Sequence, residues 1–170
     1  MCQKKEKISI KEKMEGEAKH WYALNVRYVK AGKFEPALAE SNLEHFIPSL
    51  ISNMLFIRSS IEAIDKFRER CPGGSRLRYM RSRDASPIYV SDPAMQTFIT
   101  ICRVCEQPVV LNSAPLVRLG ARVRVKEGPL AGLEGHVVRI RKQKRVLVNI
   151  ENVIWAATGY LSPDQLEILD

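Results

Sequence analysis

Only three histidines and four cysteines occur among the 170 residues, and neither type is grouped as a metal site or a catalytic pair requires. His20, His45 and His136 stand far apart in the sequence. No nucleophile motif accompanies them, and no glycine-rich strand-to-helix loop is present to cradle a phosphate. Cys102 and Cys105 form one Cys-x-x-Cys pair while Cys2 and Cys71 stand alone, so no second pair completes a zinc site. The pair lies in QTFITICRVC at 96–105, which reads as helix. Three-residue spacing then places both thiols on one helical face as small buried hydrophobes. The chain is therefore expected to be non-enzymatic, with no cofactor and no metal.

Long apolar runs are also lacking, and none approaches a membrane span. The lysine-bearing start at 1–7 has no apolar stretch behind it, which does not fit a secretory signal, and a cytoplasmic protein is expected. Acidic residues are fewer than basic ones, 19 against 27, giving a net charge of +8. The excess is spread over both halves of the chain rather than gathered in one tail. A modest positive field suits work beside phosphates, although a solvated basic surface has the same composition. Glycine is sparse, at nine residues, yet Gly128, Gly132 and Gly135 fall within one short stretch.

That stretch, GARVRVKEGPLAGLEGHVVRI at 120–140, predicts two valine-rich strands around a tight turn that needs the three glycines. A basic hairpin tip, Arg141, Lys142, Gln143, Lys144 and Arg145, leads into a third strand ending at Ile150. Upstream, residues 1–19 are Lys/Glu-rich and predict a solvated extension. Residues 21–26 (WYALNV) read as a strand, 30–42 as a short helix with Pro36 in its first turn, and 45–47 as a second strand. The nearly all-apolar 53–58 (NMLFIR) predicts a central strand. Ser59 and Glu62 have capping-box spacing, and Ile61, Ile64 and Phe67 form one stripe of the helix that follows. Residues 76–81 alternate as a half-exposed strand and 87–90 form another, before a helix opened by Asp92 as cap and Pro93. Residues 106–116, with two prolines and no period, read as a linker, and 117–170 as strand and turn.

The glycine-cornered stretch resembles the KOW motif. A β-α-β-β-α-β-β-α region at 20–105, a linker and a KOW module together resemble the NusG family of transcription elongation and antitermination factors. Trp21 and Tyr22 resemble the opening of its N-terminal domain, SNMLFI at 52–57 its Pro-Gly-Tyr-Val-Phe-Val strand, and SPIYV at 86–90 its closing segment. FIP at 46–48, the NMLFI strand and LSP at 161–163 look closest to specialised paralogues of the UpxY type, which serve surface-polysaccharide operons. The resemblance implies an α+β fold: an antiparallel sheet flanked by helices, followed by a small SH3-like β-barrel. One departure is that the family's longer connection between the second and third strands, often a basic hairpin, is absent after Pro48.

The resemblance implies a monomeric factor that docks on the clamp helices of the largest RNA polymerase subunit and suppresses pausing or termination. Carried over by position, Leu50, Ile51 and Met54 belong to the polymerase-binding patch, with Tyr22 and Phe46 as neighbours. Ile51 and Met54 are equally at home in a core. Arg76, Arg78, Arg81 and Arg83 cluster around one strand, where they either contact non-template DNA or nascent RNA or form a solvated edge. Arg141, Lys142, Lys144 and Arg145 would offer the KOW module a contact to RNA or an acidic partner, the family's partners there being the ribosome or the termination factor Rho. Ile154 and Trp155 are expected in its core. In one branch of the family this module refolds as helices. The β-branched residues at 146–155 favour strand here. A competing reading is a KOW-type RNA-binding protein associated with the ribosome.

Overall fold

Trp21 and Met54 point to one side of a sheet, and Tyr22 and Leu55 to the other, because side chains alternate along a strand. This two-sided burial sets the architecture of the computed structural model, which describes residues 18–105, 107–111, 119–140, 142–151 and 153–169. The extension at 1–17 lies outside them.

The first sheet contains β1 (His20–Val26), β2 (Glu44–Phe46), β3 (Met54–Ser59), β4 (Leu77–Tyr79) and β5 (Tyr89–Val90). It is ordered β2-β3-β1-β4, with β5 also pairing β1, and every pairing is antiparallel. The apolar β3 is central as its sequence predicts. One face is covered by a 3-10 turn (Ala31–Phe34), α1 (Glu35–Glu40) and α2 (Ile61–Arg70). Phe34, Leu38, Ile64 and Phe67 there bury Tyr22, Leu24, Leu55 and Ile57. Pro36 sits in the first turn of α1 as expected.

The other face is covered by α3 (Asp92–Val104), through Met95, Phe98 and Ile101. Phe98 lies edge-on to Phe46 and Phe56, with ring centroids 5.8 and 5.6 Å away. Such aromatic pairs add about 0.5–1.5 kcal/mol beyond area burial.

Two helix starts differ from expectation. The cap of α2 is Ser60, whose Oγ accepts from the Ala63 amide at 3.3 Å, while Ser59 ends β3 and is buried. The cap of α3 is Ser91, which accepts from the Ala94 amide at 3.4 Å. Asp92 is freed to form a bidentate pair with Arg58, at 2.9 and 2.7 Å. In both cases the sequence offers adjacent capping residues, and the end of the preceding strand decides between them.

The short connection after Pro48 is a pair of tight turns that leaves β2 in register on β3. The Ile51 amide closes onto the Pro48 carbonyl at 3.2 Å, and the Ser52 and Asn53 carbonyls accept from Ala31 and Val26 at 2.7 and 2.8 Å. The predicted strand at 76–81 is shorter, because Gly74–Arg76 forms a 3-10 turn and only Leu77–Tyr79 pairs.

The second sheet has six strands, ordered β11-β7-β8-β9-β10-β6, all antiparallel. They are β6 (Val109–Leu111), β7 (Arg122–Val125), β8 (Glu134–Ile140), β9 (Gln143–Ile150), β10 (Ile154–Ala157) and β11 (Leu166–Leu169). β6 lies inside the predicted linker. Three apolar residues there pair with β10 in a way that no period of that short run announces. Gly128 and Gly132 adopt φ of +84° in the turn between β7 and β8, as the glycine spacing required. Gly135 is not in the turn. It lies within β8, pressed against β9.

Candidate functional site

The two sheets do not stand apart. Trp21, Ile51, Met54, Phe56 and Phe98 belong to one continuous apolar cluster with Val123, Val125, Leu130, Val146, Ile150, Val153 and Ile154 of the second half. α3 is the shared element, since its buried residues join that cluster while β9 and β10 pack along it. A polar contact reinforces the docking. The Glu151 carboxylate, between β9 and β10, accepts from the Ser91 amide at 2.7 Å and from the Ser91 hydroxyl at 2.5 Å. A carboxylate thus sits on the cap residue that opens α3, where the helix dipole favours negative charge. Nothing in the sequence linked positions 91 and 151.

This arrangement redistributes the predicted polymerase patch. Ile51 is 7% and Met54 2% exposed, both in the shared cluster, so neither presents a free surface. Leu50 is 44% exposed on the turn beside them, and Phe46 is half-buried against Phe98. Tyr22 is buried on the opposite face, among the residues under α1 and α2, and does not join the other four. Alternation within β1 decides this: Trp21, its neighbour, is the residue on the Met54 side.

Beside Phe46 runs a polar cleft of about 360 Å³, lined by Trp21, Glu44, Phe46, Arg58, Asp92 and Arg103 among others. Arg58 bridges Asp92 and Glu44 across it. The Arg58 guanidinium, hydrogen-bonded to Asp92, holds that carboxyl below its usual range.

The arginines divide. Arg76, Arg78, Arg81 and Arg83 are all exposed. Arg76 lies in the 3-10 turn and Arg78 in β4, so the four arginines do not belong to one strand. Arg81 donates to the Ala85 carbonyl at 2.5 Å in a polar turn closed by Ser82, Asp84 and Ser86. In the second half Lys142 and Lys144 are exposed, and Arg141 lies outside the described residues. Arg145 departs from expectation: it is 3% exposed, inside the structure instead of at the hairpin tip. It opens a run, Arg145 to Leu147, in which consecutive residues of β9 are buried, so both faces of the strand are covered there. Ile154 is buried and Trp155 half-buried, as predicted. Cys102 and Cys105 are half-buried near the end of α3, and burial pushes the Cys102 thiol up to about 12.

No protein-family model and no curated protein matches the sequence. A solved structure does match in fold: Thermotoga maritima NusG, described under the heading of domain interaction. It superposes with a TM-score of 0.53 over 89% of this chain and 98% of that chain, at 16% identity. The fold is NusG-like. At this identity the likeness concerns backbone architecture, and it extends over both sheets. No helix among the described residues is long and apolar enough to cross a membrane.

The Glu151 contact yields a direct expectation. Glu151→Ala removes the acceptor for two donors of an exposed junction, which costs about 1 kcal/mol, a factor of about five in the docking equilibrium. Amide exchange at Ala94 and Met95 should quicken by about that factor, with exchange in α1 unchanged. Unaltered exchange in α3 would show that Glu151 does not hold the junction.

Proposed function

We propose that this protein is a transcription elongation factor that acts on RNA polymerase through the face of its first sheet carrying Phe46, Leu50, Ile51 and Met54. The NusG-like fold over nearly the whole of the compared chain carries this reading. The exposed Leu50, next to half-buried Phe46, is the accessible edge of that face. The proposed contact is the clamp-helix hairpin of the largest subunit. Binding energy there favours the closed, elongating enzyme over paused states, and a shift of a few kcal/mol suffices.

The docked second sheet gives the mechanism an order of events. Ile51 and Met54 share one apolar cluster with α3 and with the second sheet packed along it, so full use of the face requires both α3 and that sheet to move away. Domain interaction, as in the similar Thermotoga structure, would thus regulate access. The second sheet, released, is the proposed KOW module. Its exposed Lys142 and Lys144 are the candidates for contact with the ribosome, Rho or RNA. The exposed Arg76, Arg78, Arg81 and Arg83 are the candidates for non-template DNA or nascent RNA. Service to a surface-polysaccharide type of operon, cytoplasmic location and action as a monomer complete the proposal. A ribosome-bound RNA-binding role is less well supported, because the fold likeness includes the first sheet and is not confined to the second.

The test uses Leu50→Glu. Leu50 is on the surface, so the variant should fold with wild-type stability and lose about tenfold or more in polymerase pulldown, as expected for charge at an apolar contact. Undiminished retention by the folded variant would refute the assignment.

A further inference from the structure

The buried guanidinium of Arg145 has no acidic partner among the described residues. Its Nη1 donates to the Gln107 carbonyl at 2.5 Å and the Thr158 carbonyl at 3.1 Å, and Nη2 donates to Gln143 Oε1 at 2.9 Å. Nε is buried and has no hydrogen-bond partner. Every acceptor among the described residues is neutral. Cys105, which lies nearby, does not serve as counterion, because burial raises its thiol against the opposing pull of the Gly159 amide and Arg145. A buried charge left without an anion is costly, and buried polar groups in native proteins are nearly always paired.

The geometry of what is bonded shows what is left over. Nη1 spends both its hydrogens on carbonyls, and Nη2 spends one of two on Gln143. The edge made by Nε–H and Nη2–H is the side-on fork with which arginine grips two oxygens of one phosphate or carboxylate. Gln143 is exposed and accepts from Nη2 through a neutral amide oxygen, which an anionic oxygen would displace. Arg145 itself is held in place: Thr158 accepts from it, donates to Gly159, and is tied to Val146 by two further bonds of 3.0 and 3.1 Å.

Arg145 and Gln143 line a cleft of about 350 Å³. Its wall includes Val104 and Leu130, and Tyr160 beside it is 59% exposed. An apolar wall and an open aromatic ring around a guanidinium fit a flat organic body that carries an anionic group.

We infer that this cleft is a binding site for a phosphate group, held by the Nε/Nη2 edge of Arg145 and carried on a planar base that packs against Tyr160, as in a nucleoside monophosphate. The cleft is built from the end of α3, residue 107 and the second sheet. Occupancy therefore favours the docked arrangement, and the ligand stabilises the state in which Ile51 and Met54 are covered. The site itself does not depend on what the first sheet grips.

The test follows the Arg145 Nε–H resonance of the full, 15N-labelled chain, assigned through its backbone, during titration at fixed ionic strength. Adenosine monophosphate should move it saturably with a Kd below about 1 mM, and inorganic phosphate roughly tenfold more weakly. Equal affinity for the two would support the site with free phosphate as its ligand. Gln143→Ala, at an exposed position, should stay folded and tighten phosphate binding by removing the competing oxygen. Tyr160→Ala should weaken the nucleotide alone. No saturable movement with either ligand overturns the site, and movement by acetate as large as by phosphate overturns the phosphate assignment.

Discussion

Met54→Glu unfolds much of the first half of this protein rather than merely weakening a contact. Met54 is 2% exposed, between strands β2-β3 and the α3 layer, and its side chain joins the cluster shared by both sheets. Glutamate there either buries an unpaired carboxylate or takes up a proton to avoid doing so, and in both forms it forfeits the thioether's packing. The combined cost is about 4–5 kcal/mol, a large part of the roughly 5–15 kcal/mol that holds a domain together. Urea titration followed by tryptophan fluorescence should show a markedly lower midpoint, with Trp21 reporting from the same cluster. Met54→Leu, which conserves volume, should cost under about 1.5 kcal/mol. A Met54→Glu protein with the wild-type midpoint would mean that this side chain reaches solvent. Loss of polymerase binding by Met54→Glu, or by the equivalent change at Ile51, would therefore not separate a contact residue from a core residue. Leu50 makes that distinction.

The second large effect belongs to Gly135. A Cβ at this position would stand 2.4 Å from the Leu147 carbonyl oxygen and 2.8 Å from Val146 Cγ1. Neither atom is the end of a flexible side chain, so β8 and β9 must separate locally. Those strands are paired from His136↔Leu147 to Ile140↔Gln143, and they hold the middle of the second sheet. Gly135→Ala should destabilise the protein by roughly 3 kcal/mol. Gly32→Ala is the matching control, because a Cβ there meets nothing within 4 Å and φ is ordinary. It should be neutral or stabilising by a few tenths of a kcal/mol. Equal unfolding midpoints for the two variants would show that β8 does not approach β9 so closely.

Gly135 also shows how far the glycine pattern could be read. Three closely spaced glycines announced a tight corner, and two of them do supply left-handed backbone. The third is there for close strand approach. Both needs select glycine, and sequence spacing alone cannot separate them.

Arg145 is a similar case. Five consecutive polar residues read as one solvated tip, but cover on both faces of β9 begins at Arg145, while Lys142 and Lys144 stay outside. Tyr22 is separated from the other patch residues by alternation, being one residue out of phase with Trp21.

The sequence by itself determined the local elements: the central apolar β3, the stripe of α2, the glycine turn after β7, the strand character of the second half, and a layout that resembles NusG. These follow from side-chain periodicity and backbone freedom, which act over a few residues. Only the tertiary structure decided that α3 lies between two sheets, that Ile51 and Met54 share a core with Val146 and Ile154, that Glu151 binds the cap residue of a helix sixty positions earlier, and that Arg145 is held by neutral acceptors. Those facts depend on which distant surfaces meet. Apolar burial is non-directional, so a hydrophobic strand records that it must be covered and leaves its cover to the packing of the whole chain.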